Sequence, residues 1–206
     1  MEIKELLRKE KLVAVIRAND AEEAISIINL LAKEGIRLIE LTYTVPQVEE
    51  VFKEFRDNHN LRIGAGTVLD TETARHAILS GANFLVSPHF DKEIAKLANR
   101  YQVLYLPGCM TISEMVTALE YGCSIIKLFP ASNFDPSFIR AVKGPLPQIE
   151  VMPTGGVGLN NLKGWIENGA IAVGVGSDFN KAFLQGEEEV SKLAQNYLLE
   201  IGRKSS

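Results

Sequence analysis

The feature that most constrains this chain is an alternation that runs along its whole length. Short apolar, β-branched runs recur eight times, at residues 12–18, 37–44, 62–68, 83–88, 103–107, 124–129, 150–154 and 172–176. Longer segments of helical period separate them. Segment 20–33 is the clearest: Ala21, Ala24, Ile25, Ile28, Leu31 and Ala32 share one face, opposite Glu22, Glu23, Ser26, Asn29 and Lys33. Asn19-Asp20 offers it an N-terminal cap, and Gly35 offers it a stop. Segments 72–80, 113–121 and 159–168 end in the same manner at Gly81, Gly122 and Gly169.

Strand–helix alternation implies a parallel sheet, and strands this apolar need both faces covered. Eight such units in 206 residues leave little room for insertions. The expectation is one α/β domain over residues 1–206, a (β/α)8 TIM barrel with an extra N-terminal helix at 2–8 and a further helix at 187–201. A doubly wound open sheet would usually use fewer strands and would leave two edges.

Composition removes several classes of function. The net charge is −4, and no basic block is longer than a pair such as Arg203-Lys204, so nucleic acid is not an expected partner. The charged N-terminal segment reads as a helix rather than a signal peptide, and the apolar runs are too short to span a bilayer. The two cysteines, Cys109 and Cys123, form no zinc pattern with the histidines, which fits a reduced cytoplasmic setting with neither metal nor cofactor. They read as core thiols. His59 and His76 read as solvated, His89 as a residue at the mouth of the site or a bystander, and Trp165 as packing.

The active site of a barrel lies at the C-terminal ends of its strands. Four polar residues interrupt the apolar runs near those ends: Arg17, Glu40, Thr67 and Lys127. Lys127 sits in Ile125-Ile126-Lys127-Leu128-Phe129-Pro130, where period two groups Ile125, Lys127 and Phe129 on one face. Exclusion from water favours a neutral amine, which is the form that attacks a ketone. The alternative is a lysine in a structural ion pair. Glu40 shares a face with Leu38 and Thr42. A carboxylate there is costly unless it is paired or functional, so it either moves protons beside an imine-forming amine or bridges to Lys127 or Arg17.

A second cluster is rich in glycine: Pro153-Thr154-Gly155-Gly156-Val157-Gly158 follows the seventh run, and Val173-Gly174-Val175-Gly176-Ser177 spans the eighth. Glycines let backbone N–H groups approach a ligand closely. Turns after the last two strands form the phosphate cup of many barrels. Other readings of these features are a sugar-phosphate epimerase or isomerase, which would not need an imine-forming lysine, and a non-catalytic binder of phosphorylated metabolites.

Across nearly its whole length the chain resembles the 2-keto-3-deoxy-6-phosphogluconate (KDPG) and 2-keto-4-hydroxyglutarate (KHG) aldolases, class I enzymes of the Entner–Doudoroff pathway. The resemblance rests on seven ordered motifs: residues 13–17, 39–42, 64–68, 86–88, 106–108, 126–130 and 153–157. It implies that Lys127 forms the Schiff base and that Glu40 is the general acid/base. It sets Thr67, Pro88, Phe129 and Thr154 around the keto-acid end, Arg17 at the substrate carboxylate, and Gly155, Gly156 and Ser177 in the phosphate loops, with Gly176 beside them. Some relatives carry an arginine a few residues after the glutamate, where this chain has Thr44. The resemblance further implies a homotrimer that cleaves 2-dehydro-3-deoxy-6-phosphogluconate to pyruvate and glyceraldehyde 3-phosphate. It also implies 4-hydroxy-2-oxoglutarate as a second substrate, split to pyruvate and glyoxylate.

Overall fold

The computed structural model describes residues 2–202, so the basic pair Arg203-Lys204 lies outside the described residues. Among the described residues, nine strands and ten α-helices follow one another. The strands are β1 (Leu12–Ile16), β2 (Leu38–Thr42), β3 (Arg62–Gly66), β4 (Phe84–Val86), β5 (Leu104–Leu106), β6 (Gly108–Cys109), β7 (Ile125–Leu128), β8 (Glu150–Pro153) and β9 (Val173–Val175). The helices are α1 (Ile3–Glu10), α2 (Ala21–Lys33), α3 (Val48–Glu54), α4 (Thr71–Ser80), α5 (Lys92–Tyr101), α6 (Ile112–Glu120), α7 (Phe138–Lys143), α8 (Leu162–Glu167), α9 (Ser177–Phe183) and α10 (Glu187–Glu200).

The starts of α2, α4, α5 and α6 are set by side chains that satisfy otherwise orphaned N–H groups. Asp20 accepts from the Glu23 amide at 2.8 Å, and Asp70 accepts from the Thr73 amide at 2.6 Å. Thr111 and Glu114 close a reciprocal capping box at α6. Helix α8 begins later than its periodicity predicts. Its first residues are held instead in a turn, where Asn161 accepts from the Gly158 amide at 3.0 Å and donates to the Gly156 carbonyl at 2.9 Å.

Every strand pair is parallel. The ladders form two sheets, β5-β4-β3-β2-β1-β9 and β6-β7-β8, rather than the single ring of eight that the sequence predicts. One break falls at Pro107, which has no N–H to donate and separates β5, inside the fifth apolar run, from β6 just beyond it. Its carbonyl still accepts from the Lys127 amide at 2.9 Å. At the other seam β8 and β9 meet through a parallel bridge between Thr154 and Gly174, and through the Ile171 amide donating to the Val151 carbonyl at 3.0 Å.

Side chains alternate between two buried clusters. Ile39, Leu41, Ile126 and Leu128 join the larger one, packed against the helices. Val13, Leu38, Phe84, Leu106, Ile125 and Met152 form an inner one, with Leu6 and Leu7 of α1 joining it. Gly64 makes room for this inner core, since a Cβ there would lie 2.3 Å from the Phe84 ring.

Burial governs the alkaline behaviour of this core. It pushes the Cys109 and Cys123 thiols and the Tyr43 phenol up to about 12, and it raises the Tyr105 and Tyr197 phenols as well. The unfolded chain ionises these groups first, from roughly pH 8.5 for thiols and 10 for phenols. Their contribution to stability is therefore intact below that range and is lost as pH rises toward the folded values. Urea melts are expected to show a midpoint that falls steadily above about pH 9. A flat midpoint to the strongly alkaline limit would contradict this account of the core.

Candidate active site

Glu40 is the middle residue of β2 and Lys127 the third of β7, and both point away from the helix-packed cluster. They meet: Lys127 Nζ donates to Glu40 Oε1 at 3.1 Å and lies 3.5 Å from Oε2. Their side chains are 4 % and 1 % exposed. A buried ion pair of this kind adds little to stability beyond what apolar side chains of equal volume would give. Its retention in the middle of a core is therefore better explained by chemistry than by folding. The Phe129 ring sits 5.2 Å from Lys127 Nζ and covers it from one side.

The fit around Glu40 depends on a neighbour without a side chain. A Cβ on Gly66 would lie 2.5 Å from Glu40 Oε1. The next residue, Thr67, is half-buried and takes a left-handed backbone with φ of 58°. That conformation costs a β-branched residue roughly 1–3 kcal/mol and tends to be kept at functional sites. Beyond Glu40 on the same face, buried Thr42 donates to the Ile16 carbonyl at 3.2 Å, and its hydroxyl lies 2.7 Å from that of Thr44.

Beside this pair lies a cavity of about 220 Å³ whose walls include Arg17, Phe129, Thr154, Gly155, Gly156, Gly176 and Ser177. Gly155 and Gly156 have φ of 83° and 87°, a conformation that glycine adopts without strain. The Thr154 hydroxyl is buried in the wall and has no hydrogen-bond partner among the described residues. A Cβ on Gly174 would lie 2.3 Å from that hydroxyl. Gly174 thus leaves the space that Thr154 occupies.

The structure therefore brings together Lys127, Glu40 and Phe129 at one point, and Arg17, Thr154, Gly155, Gly156, Gly176 and Ser177 around the adjoining cavity. Arg17 is exposed, with Nη1 3.2 Å from where a Cβ on Gly176 would stand. Thr67 and Pro88 stand outside the walls of this cavity. Pro88 is held in place from two directions. Ser87 Oγ meets Tyr105 Oη at 2.6 Å, and the carbonyl carbon of Pro88 lies 2.2 Å from where a Cβ on Gly108 would be. Tyr105 and Gly108 carry no chemical signature in the sequence; only the pairing of β5 and of β6 with their neighbours gives them these roles. Among the described residues, no three His, Cys, Asp or Glu side chains are placed to share a metal ion. Among the same residues, no helix is long and apolar enough to cross a membrane.

Comparison with known proteins points the same way as the geometry. Residues 3–195 match the family model described as KDPG and KHG aldolase. The chain is 35 % identical over 177 residues to the 2-dehydro-3-deoxy-6-phosphogalactonate aldolase of Escherichia coli, a match covering 84 % of this chain and 86 % of the relative. It is 33 % identical over 202 residues to the 2-dehydro-3-deoxy-phosphogluconate aldolase of Haemophilus influenzae, covering 96 % and 95 %. Among solved structures, the 4-hydroxy-2-oxoglutarate/2-dehydro-3-deoxyphosphogluconate aldolase from TTHB1 superposes with a TM-score of 0.86 at 31 % identity, covering 98 % of this chain and 100 % of that one.

Proposed function

The chain belongs to the KDPG and KHG aldolase family, and on that premise we propose that it is a Schiff-base aldolase with Lys127 as its nucleophile. Its substrate in this reading is 2-dehydro-3-deoxy-6-phosphogluconate, cleaved to pyruvate and glyceraldehyde 3-phosphate, with 4-hydroxy-2-oxoglutarate as a second substrate. The observation that carries the proposal is the buried contact of 3.1 Å between Lys127 Nζ and Glu40 Oε1 beside a glycine-walled cavity. We read the two sheets as the staves of one (β/α)8 barrel forming a single domain, because the inner cluster draws side chains from both sheets. The family resemblance extends the proposal to a homotrimer working in the cytoplasm.

In this mechanism Glu40 takes a proton from the Lys127 ammonium across their hydrogen bond, which leaves the amine free to attack the C2 ketone. Glu40 then returns a proton to the carbinolamine hydroxyl, water leaves, and a protonated imine remains. Glu40, directly or through a water, next removes the C4 hydroxyl proton. The C3–C4 bond breaks, its electron pair moves into the protonated imine to give an enamine, and the aldehyde departs. Protonation at C3 and addition of water release pyruvate and restore the amine. A hydrogen-bonded pair in a dry site suits both proton steps, since neither partner has to be brought in from solvent.

Two anions flank the reacting carbons. The phosphate fits the turns carrying Gly155, Gly156, Gly176 and Ser177, where backbone N–H groups are not screened by side chains. Arg17 lies on the edge of Gly176, so we assign its guanidinium to the phosphate rather than to the carboxylate. The partnerless Thr154 hydroxyl is free to bond substrate. Thr67 and Pro88, outside the cavity walls, remain candidates for the keto-acid end.

The test is borohydride reduction in the presence of pyruvate, followed by peptide mass mapping. A reduced pyruvyl adduct on the peptide containing Lys127 is expected. A folded protein that gives no adduct, or gives one on a different lysine, would sink this reading.

A further inference from the structure

The two glycine-rich turns come from different strands, and something must hold them in register. Behind the turn that starts α9 lies Asp178, next to Ser177. Its carboxylate is gripped from the core: Tyr197 of α10, fully buried, donates from Oη to Asp178 Oδ2 at 2.5 Å. Its other oxygen accepts from Ser177 Oγ at 3.3 Å. The same carboxylate abuts the turn after β8, where a Cβ on Gly158 would stand 3.4 Å from Asp178 Oδ2 and 3.8 Å from Tyr197 Oη. Gly158 in turn is tied through Asn161 to the Gly156 carbonyl. The Tyr197 ring is fixed by Phe179, with centroids 5.3 Å apart.

We propose that Tyr197 and Asp178 are positioning residues that assemble the phosphate cup before substrate arrives. The buried phenol pins the carboxylate, and the carboxylate sets Ser177 on one turn and the packing of Gly158 on the other. The bond serves a second purpose. A carboxylate next to a phosphate site repels its ligand, and a hydroxyl donating from the core side keeps that negative charge turned inward. A loosened cup is misplaced for phosphate but not for the ketone, because Lys127 stands on β7, outside this network. This inference rests on the aldolase reading and deepens its phosphate subsite.

The experiment is a double-mutant cycle with Tyr197→Phe and Asp178→Ala, measured on three readouts. These are KM and kcat for 2-dehydro-3-deoxy-6-phosphogluconate, the inhibition constant of inorganic phosphate, and the half-saturation of borohydride trapping by pyruvate, which carries no phosphate. Each single variant is expected to raise KM and the phosphate constant about tenfold, the effect of losing one hydrogen bond to a charged group. The double variant should be no worse than either single, because the two act as one unit. Pyruvate half-saturation should move less than about twofold, whereas general damage to the fold would move it in step with KM.

An unchanged KM, a parallel shift in pyruvate half-saturation or an additive cycle would each overturn the inference. Should Tyr197→Phe fail to fold, Asp178→Asn against Asp178→Ala decides: the amide keeps an acceptor for the phenol and should restore KM, and equal KM values in the two would overturn it. Wild type that forms no pyruvate imine overturns the aldolase reading instead. Wild type that cleaves normally beside a normal Tyr197→Phe variant overturns only the positioning role.

Discussion

Replacing Lys127 by Met is expected to lower kcat by about four to six orders of magnitude, the range seen when a covalent nucleophile is removed. Among the described residues, the amine at the Glu40 carboxylate is Lys127 Nζ at 3.1 Å, and no second ion pair to Glu40 stands ready to take its place. The same substitution should destabilise the protein by about 3–5 kcal/mol, because it leaves a buried carboxylate without its cation. The two effects can be separated. Adding Glu40→Gln removes the stranded charge, and the double variant should recover most of the lost stability while staying inactive. Thermal melts and a coupled cleavage assay on the two variants check both halves. More than about one percent of wild-type activity in a folded Lys127→Met protein would place the nucleophile elsewhere.

That pair is legible in the sequence because each member is a charge inside an apolar run, and a period of two gives each a face. Lys127 falls on the side of Ile125 and Glu40 on the side of Leu38, and both of those residues enter the inner cluster. The features that stayed hidden depend on cross-strand register or on long-range packing. The room that Gly66 leaves for Glu40 exists only because β3 pairs with β2, Glu40 opposite Gly64 and Thr42 opposite Gly66. Arg17 lies near the glycine turns because β1 pairs with β9, Ala14 opposite Val175, which carries the end of β1 toward Gly176. Pro107 is plain in the sequence, yet its break in the ladder becomes visible only when the neighbouring strand is known. Tyr197 and Asp178 are separated by 19 positions and lie on different helices, so no local pattern joins them.

The second large effect should come from the smallest change, Gly66→Ala. The added methyl would stand 2.5 Å from Glu40 Oε1, 2.6 Å from Cγ and 2.9 Å from Cδ, distances at which something must shift. Glu40 has nowhere to go in the core: its side chain is 1 % exposed. Backbone movement is opposed by the ladder between β2 and β3, so the carboxylate is the group that yields. Forcing one carbon into a packed core costs about 1–3 kcal/mol. Moving a proton-transfer group by roughly an ångström costs about a hundredfold in rate, within the hundred- to ten-thousandfold that such a group contributes. Gly66→Ala should therefore behave as a partial loss of Glu40, with kcat lowered about a hundredfold and an extra stability loss that Glu40→Gln does not share. Combining Gly66→Ala with Glu40→Asp shortens the side chain by one carbon. That combination should recover stability without recovering kcat, because relief of the clash does not return the carboxylate to the amine. If Gly66→Ala instead keeps kcat within about twofold of wild type, the placement of Glu40 against Lys127 is not what sets the rate.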